Sequence, residues 1–176
     1  MEHPYIPLED LQAQVAACRR CPLCDGRTQT VFGVGNPEAR VLIVGEAPGK
    51  NEDLQGEPFV GAAGKYLNEL LAIAGLSRED VYIANVLKCR PPSNRDPRPE
   101  EIQACTPFLR EQTRTINPEY IVTLGNFSTK FILKTDVGIT ARCSGRGASR
   151  CSPSSTRRPR STTARSARPW KTTSPP

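Results

Sequence analysis

Four cysteines carry the densest chemistry in this sequence. Cys18-Arg19-Arg20-Cys21 is a C-x2-C pair at the end of a helical stretch, and Cys89 and Cys105 form a second, wider pair. Thiolates at C-x2-C spacing can reach one face of an iron–sulfur cluster. Zinc held by four thiolates competes, because the ligands are the same, although a zinc ribbon normally has two tight pairs. Cys24 extends the first pair to C-x2-C-x2-C, as in a ferredoxin. Such a run continues to a fourth cysteine and a proline, whereas Asp25-Gly26-Arg27 follows here, so Cys24 is expected to be a buried spectator. The plain alternative makes all these thiols unrelated core residues.

Three loops carry further candidates. Val41-Leu42-Ile43-Val44 runs into Gly45-Glu46-Ala47-Pro48-Gly49, and ligand sites in parallel α/β sheets lie at the carboxyl ends of strands. Glycines there let backbone N–H donors approach a ligand, and the loop lacks the Gly-Lys-Ser/Thr of a Walker A motif. Phe59 lies in a polar loop, either as a platform for a flat ring or folded beneath its own loop. Asn85 ends a second apolar run, where its amide offers both a donor and an acceptor, or simply bonds its own backbone. Lys88, Arg90, Arg95 and Arg98 cluster as a plausible phosphate contact zone.

These residues need elements to hold them. Leu8, Leu11 and Val15 recur at helical spacing, which predicts a helix over 8–20. Residues 41–44 read as a buried strand and 81–87 and 120–124 as further strands, while 62–74, a stretch opening at Pro99, and 128–133 read as helices. Alternation of this kind implies an α/β fold, a three-layer α/β/α sandwich on a central parallel sheet.

The net charge is +6, which would suggest a nucleic-acid partner, but it is unevenly distributed. Eight of the 24 basic residues lie in 143–176, which has no acid, leaving 16 against 18 acidic residues before it. That Ser-, Thr-, Arg- and Pro-rich stretch cannot bury enough apolar surface to offset its ordering entropy. Residues 1–140 therefore read as one domain and 141–176 as a tail, disordered or translated out of frame. Cys143 and Cys151 fall in it and are set aside. No signal peptide or membrane-spanning run is evident, so a cytoplasmic setting is expected.

Taken together, the blocks resemble the family 4 uracil-DNA glycosylases. The resemblance covers residues 8–140. It rests on Cys18-x2-Cys21, the run from Gly26 to Pro37, Gly45-Glu46-Ala47-Pro48-Gly49, Pro58-Phe59-Val60-Gly61-x-Ala63-Gly64, Asn85-x2-Lys88-Cys89-Arg90-Pro91-Pro92-x-Asn94-Arg95, and Cys105. It implies a 4Fe-4S cluster on Cys18, Cys21, Cys89 and Cys105, with Cys24 left out. It also implies uracil held by Gly45, Glu46 and Ala47, stacked on Phe59 and read by Asn85, with Glu46 catalytic. The implied partner is uracil-containing DNA, single- or double-stranded, flipped into the pocket of a monomer with no membrane association. The family's C-terminal His-Pro motif has no counterpart, because the single histidine is His3. A last strand and helix are missing with it, and strongly reduced activity is expected of the chain as written. Two rivals remain: a non-catalytic iron–sulfur or zinc protein binding nucleic acid, and a nucleotide-binding α/β domain.

Overall fold

Alternate residues of the central strands face opposite layers, and this builds the molecule. In the computed structural model, which describes residues 6–134, β2 (Val41–Gly45) and β3 (Val81–Asn85) form the middle of a four-stranded sheet ordered β1-β3-β2-β4. Leu42 and Val44 of β2 join Tyr82 and Ala84 of β3 in packing against Leu109 and Ile116 of α5 (Pro99–Ile116). Ile43, Val81 and Ile83 point the other way, onto Leu67 and Leu71 of α4 (Ala62–Ile73). Period-2 alternation thus gives each face its own core, with helices on both sides. Burying one such Leu or Ile contributes about 1.5–3 kcal/mol. The helix α6 (Asn126–Leu133) adds Phe127, Phe131 and Ile132 to the α5 face.

β4 (Tyr120–Thr123) pairs in parallel with β2, and β2 pairs in parallel with β3, as the sequence predicts. The sheet also has one edge strand that the sequence reading does not include. β1 (Val34–Gly35) lies antiparallel to β3, so the sheet is mixed. This strand is too short for a hydrophobic alternation. It exists because Gly35, at φ +126°, lets backbone meet backbone: a Cβ there would collide with the Val81 carbonyl.

On the α5 side, α1 (Leu8–Ala16) buries Leu11 and Val15 beside Leu23, Phe32, Leu87 and Phe108. It ends four residues before the predicted Arg20, which frees the segment carrying Cys18 and Cys21. Two short helices were not legible: α2 (Leu23–Gly26) and α3 (Lys50–Gln55). The described residues all fall within one compact unit. The tail and the missing last strand and helix fall outside the described residues. Among those residues, no helix is long and apolar enough to cross a membrane.

Candidate functional site

The register of β2 on β3 sets Gly45 directly beside Asn85. Beyond the strand ends the pairing continues, Val86 N–H donating to Gly45 O and Leu87 N–H to Glu46 O, each at 3.0 Å. Asn85 is 2% exposed, its carboxamide makes no hydrogen bond among the described residues, and its Oδ1 is buried without a partner. An unmade bond at a buried acceptor costs about 1–3 kcal/mol, so this atom needs an explanation. Across Gly45 lies the Phe59 ring: a Cβ on Gly45 would stand 2.6 Å from Phe59 Cζ and would also overlap Asn85 Oδ1. The glycine therefore keeps open the space where an aromatic face and a bare amide oxygen meet. Neither the Glu46 nor the Ala47 N–H donates a backbone hydrogen bond among the described residues, which leaves two donors beside that space.

Phe59 is half-buried, packed partly on the Ile43–Ile83 core. Its backbone is left-handed at φ 56°, an uncommon state for a bulky residue. Three contacts hold it there. Arg78 donates to Pro58 O at 2.7 Å and to Phe59 O at 3.2 Å. Glu52 Oε1 accepts from Val60 and Gly61 N–H at 3.0 Å. Gly64 lies against the Phe59 carbonyl, with no room for a Cβ. Arg78 and Glu52 carry no motif, and sequence reasoning missed both.

Glu46 is half-buried at the same strand end. Burial, joined by the negative charge of Asp96, pushes its carboxyl above the ordinary 4.5. A raised acid costs the folded state wherever the group is ionised, and costs nothing below the unfolded value. Glu46→Gln should therefore raise the melting temperature at pH 7, with the gain vanishing below pH 4.5. Equal gains at both pH values in thermal melts would contradict this.

The second site is a cavity lined by Cys18, Cys21, Cys89 and Cys105 together with Val15, Lys88, Arg27 and Phe108. It brings together the end of α1, the segment after β3, and α5. Cys24 also lines it, half-exposed and bonded to Asp25 at 3.4 Å, so it is not buried as expected. It is the second residue of α2 (Leu23–Gly26). Two sulfurs already accept hydrogen bonds, Cys105 from Lys88 N–H at 3.3 Å and Cys89 from Arg27 Nη1 at 3.2 Å. Burial pushes the Cys105 thiol up to about 11, and raises Cys21 and Cys89. Among the described residues, no three His, Cys, Asp or Glu side chains form a group suited to one metal ion.

Lys88 requires a correction. It is 1% exposed and its ammonium bonds Phe32 O, Asn85 O and Gln112 Oε1, so it cannot reach a phosphate. Burial lowers its pKa to about 8, with Cys105 and Cys89 opposing. Buried neighbours on both sides, Leu87 and Cys89, carry it inward. Arg95 is bound through both nitrogens to the buried carboxylate of Glu101 and is only partly exposed. Arg90, also partly exposed, is bonded to Asn94 at 2.8 Å. Gln112 was also missed, although it shares the inward face of α5 with Cys105, Phe108 and Leu109, a spacing that could have revealed it.

Comparison with known proteins follows the same lines. The model of the uracil DNA glycosylase superfamily matches residues 32–174. The type-4 uracil-DNA glycosylase of Archaeoglobus fulgidus is 57% identical over 125 residues, covering 71% of this chain and 63% of that protein. The type-4 enzyme of Sulfurisphaera tokodaii is 53% identical over 126 residues, 71% of this chain and 57% of its own. That of Thermotoga maritima is 51% identical over 126 residues, 72% and 66%. The matched stretch thus spans less than two thirds of each of these relatives. With the family model matched over most of its length, the chain belongs to the uracil-DNA glycosylase superfamily.

Proposed function

We propose that this chain recognises uracil in DNA and belongs to the chemistry of its excision, hydrolysis of the N-glycosidic bond. The observation that carries the reading is the buried, partnerless Asn85 Oδ1 facing the Phe59 ring across Gly45. Uracil has a ring N–H to fill that acceptor and a 4-carbonyl for the amide nitrogen. Cytosine presents a lone pair to the same oxygen and leaves it unpaired. The free N–H groups of Glu46 and Ala47 suit a second uracil carbonyl, and Phe59 supplies the stacking face. When the C1′–N1 bond breaks, its electron pair stays on the base and the sugar gains oxocarbenium character. Glu46, as carboxylate, stabilises that sugar and orients the attacking water. Extrusion of the base from the stack costs a few kcal/mol, and the contact with Phe59 offsets part of it.

The four-cysteine cavity fits a 4Fe-4S cluster. Those four thiols line one cavity, with Cys24 a fifth, and an amide and a guanidinium already donate to sulfur, as around cluster thiolates. When bound, the cluster braces the structure rather than supplying a redox step. Cys18, Cys21, Cys89 and Cys105 would hold it, tying α1 to β3 and α5. A brown protein with a broad visible shoulder is the expected appearance. The rival non-catalytic and nucleotide-binding readings have no observation in their favour.

The test is binding of free uracil and of a uracil-containing oligonucleotide, single- and double-stranded, by the full chain. Asn85→Ala should weaken uracil binding by about 10- to 100-fold, as loss of a paired amide predicts. Cytosine should bind neither protein. Equal uracil affinity in the variant would refute the reading. Release of uracil is expected to be slow, because no histidine other than His3 is present.

A further inference from the structure

An ammonium group has three donors, and at Lys88 all three are used inside the protein. Phe32 O lies at 3.1 Å, Asn85 O at 2.9 Å, and Gln112 Oε1 completes the set. Every acceptor is neutral, and among the described residues no carboxylate pairs with this cation. A buried charge without a counter-charge is costly. The nearest groups able to carry negative charge are the thiols of the cysteine cavity, which Lys88 itself lines. Its backbone N–H donates to Cys105 Sγ at 3.3 Å, and Cys89 is the next residue. Four thiolates bring four negative charges. A resident metal group that cancels only part of them leaves net negative charge beside the ammonium.

The same ammonium grips the main chain of Asn85. Gly45 holds that residue from one side through the sheet register, and Lys88 holds its carbonyl from within. A buried cation thus stands between the cysteine site and the residue that faces the base. We propose that Lys88 is a positioning residue for base recognition, held by the charge on the cysteine site and holding Asn85 in turn, so that loading of that site and uracil affinity are coupled. The inference rests on the base-reading role proposed for Asn85.

The experiment compares free-uracil affinity of the full chain before and after iron removal by chelation, in wild type, Lys88→Met and Gln112→Glu. Wild type should lose about tenfold on iron removal, an ordinary size for coupling between sites. Lys88→Met should bind uracil about tenfold more weakly at the start and lose nothing more. Gln112→Glu places a carboxylate beside the ammonium, so its affinity should stay within about twofold when iron is removed. A merely structural Lys88 would lower the melting temperature while leaving the iron dependence as in wild type, and that result overturns the coupling. So does a purified chain without iron. If Lys88→Met does not fold, Gln112→Glu decides alone: wild-type iron dependence in it refutes the proposal. Undiminished uracil binding in Asn85→Ala would sink the base-reading role and the coupling with it. Loss in Asn85→Ala beside unchanged affinity in Lys88→Met would sink the coupling alone.

Discussion

Gly45→Ala is expected to abolish uracil binding while the chain stays folded. The added methyl group would stand 2.6 Å from Phe59 Cζ and 2.8 Å from Phe59 Cε2, and would overlap Asn85 Oδ1. All three atoms belong to ends of side chains, which can turn aside without moving the sheet. The fold therefore tolerates the change at about 1–3 kcal/mol, the usual cost of a crowded methyl group. On the proposed reading the function does not, because the two groups that yield are those proposed to stack on the base and read its edge. A loss of about 100-fold or more in uracil affinity follows, as expected when a site built around a hydrogen bond is misaligned. Titration with free uracil and a thermal melt separate the two effects. Uracil affinity within about threefold of wild type would show that the base does not lie over Gly45.

Cys105→Ala should strip the chain of iron and lower its melting temperature by on the order of 10 °C. Cys105 sits on the buried face of α5, and its sulfur accepts the Lys88 N–H. Its loss removes one ligand, leaves that amide unpaired and uncouples α5 from the N-terminal segment. Cys24→Ala is the matched control, since Cys24 lines the same cavity from a half-exposed position. Retained iron in the Cys24 variant and lost iron in the Cys105 variant would assign the ligand set. The reverse pattern, read from metal analysis and the visible spectrum, would replace Cys105 by Cys24.

Much of this was legible from residue order because two simple periods govern it. Leu42 and Val44 against Ile43 already encode a strand covered on both faces, and Gly45 marks where that run ends. The four cysteines were recoverable by spacing and resemblance, and the cavity gathers all of them. Long-range matters of charge were not legible. Lys88 reads as one of a basic cluster until three acceptors from Phe32, Asn85 and Gln112 close around it. β1 escaped because two residues have no period, and its pairing depends on a glycine meeting a backbone carbonyl. Arg78 and Glu52 escaped for a related reason: each acts on loop backbone, and such partners leave no mark on side-chain spacing.

The contact between Gly64 and the Phe59 carbonyl sets the terms on which this pocket can be redesigned. Main chain there is cast against main chain, so the path of the loop is fixed by the helix beneath it and not by the ring it carries. A combinatorial library can therefore exchange the aromatic at position 59 and sample new base preferences on an unchanged support. At position 64 the same library has one admissible letter. Recognition is free to drift here, while the platform beneath it is not.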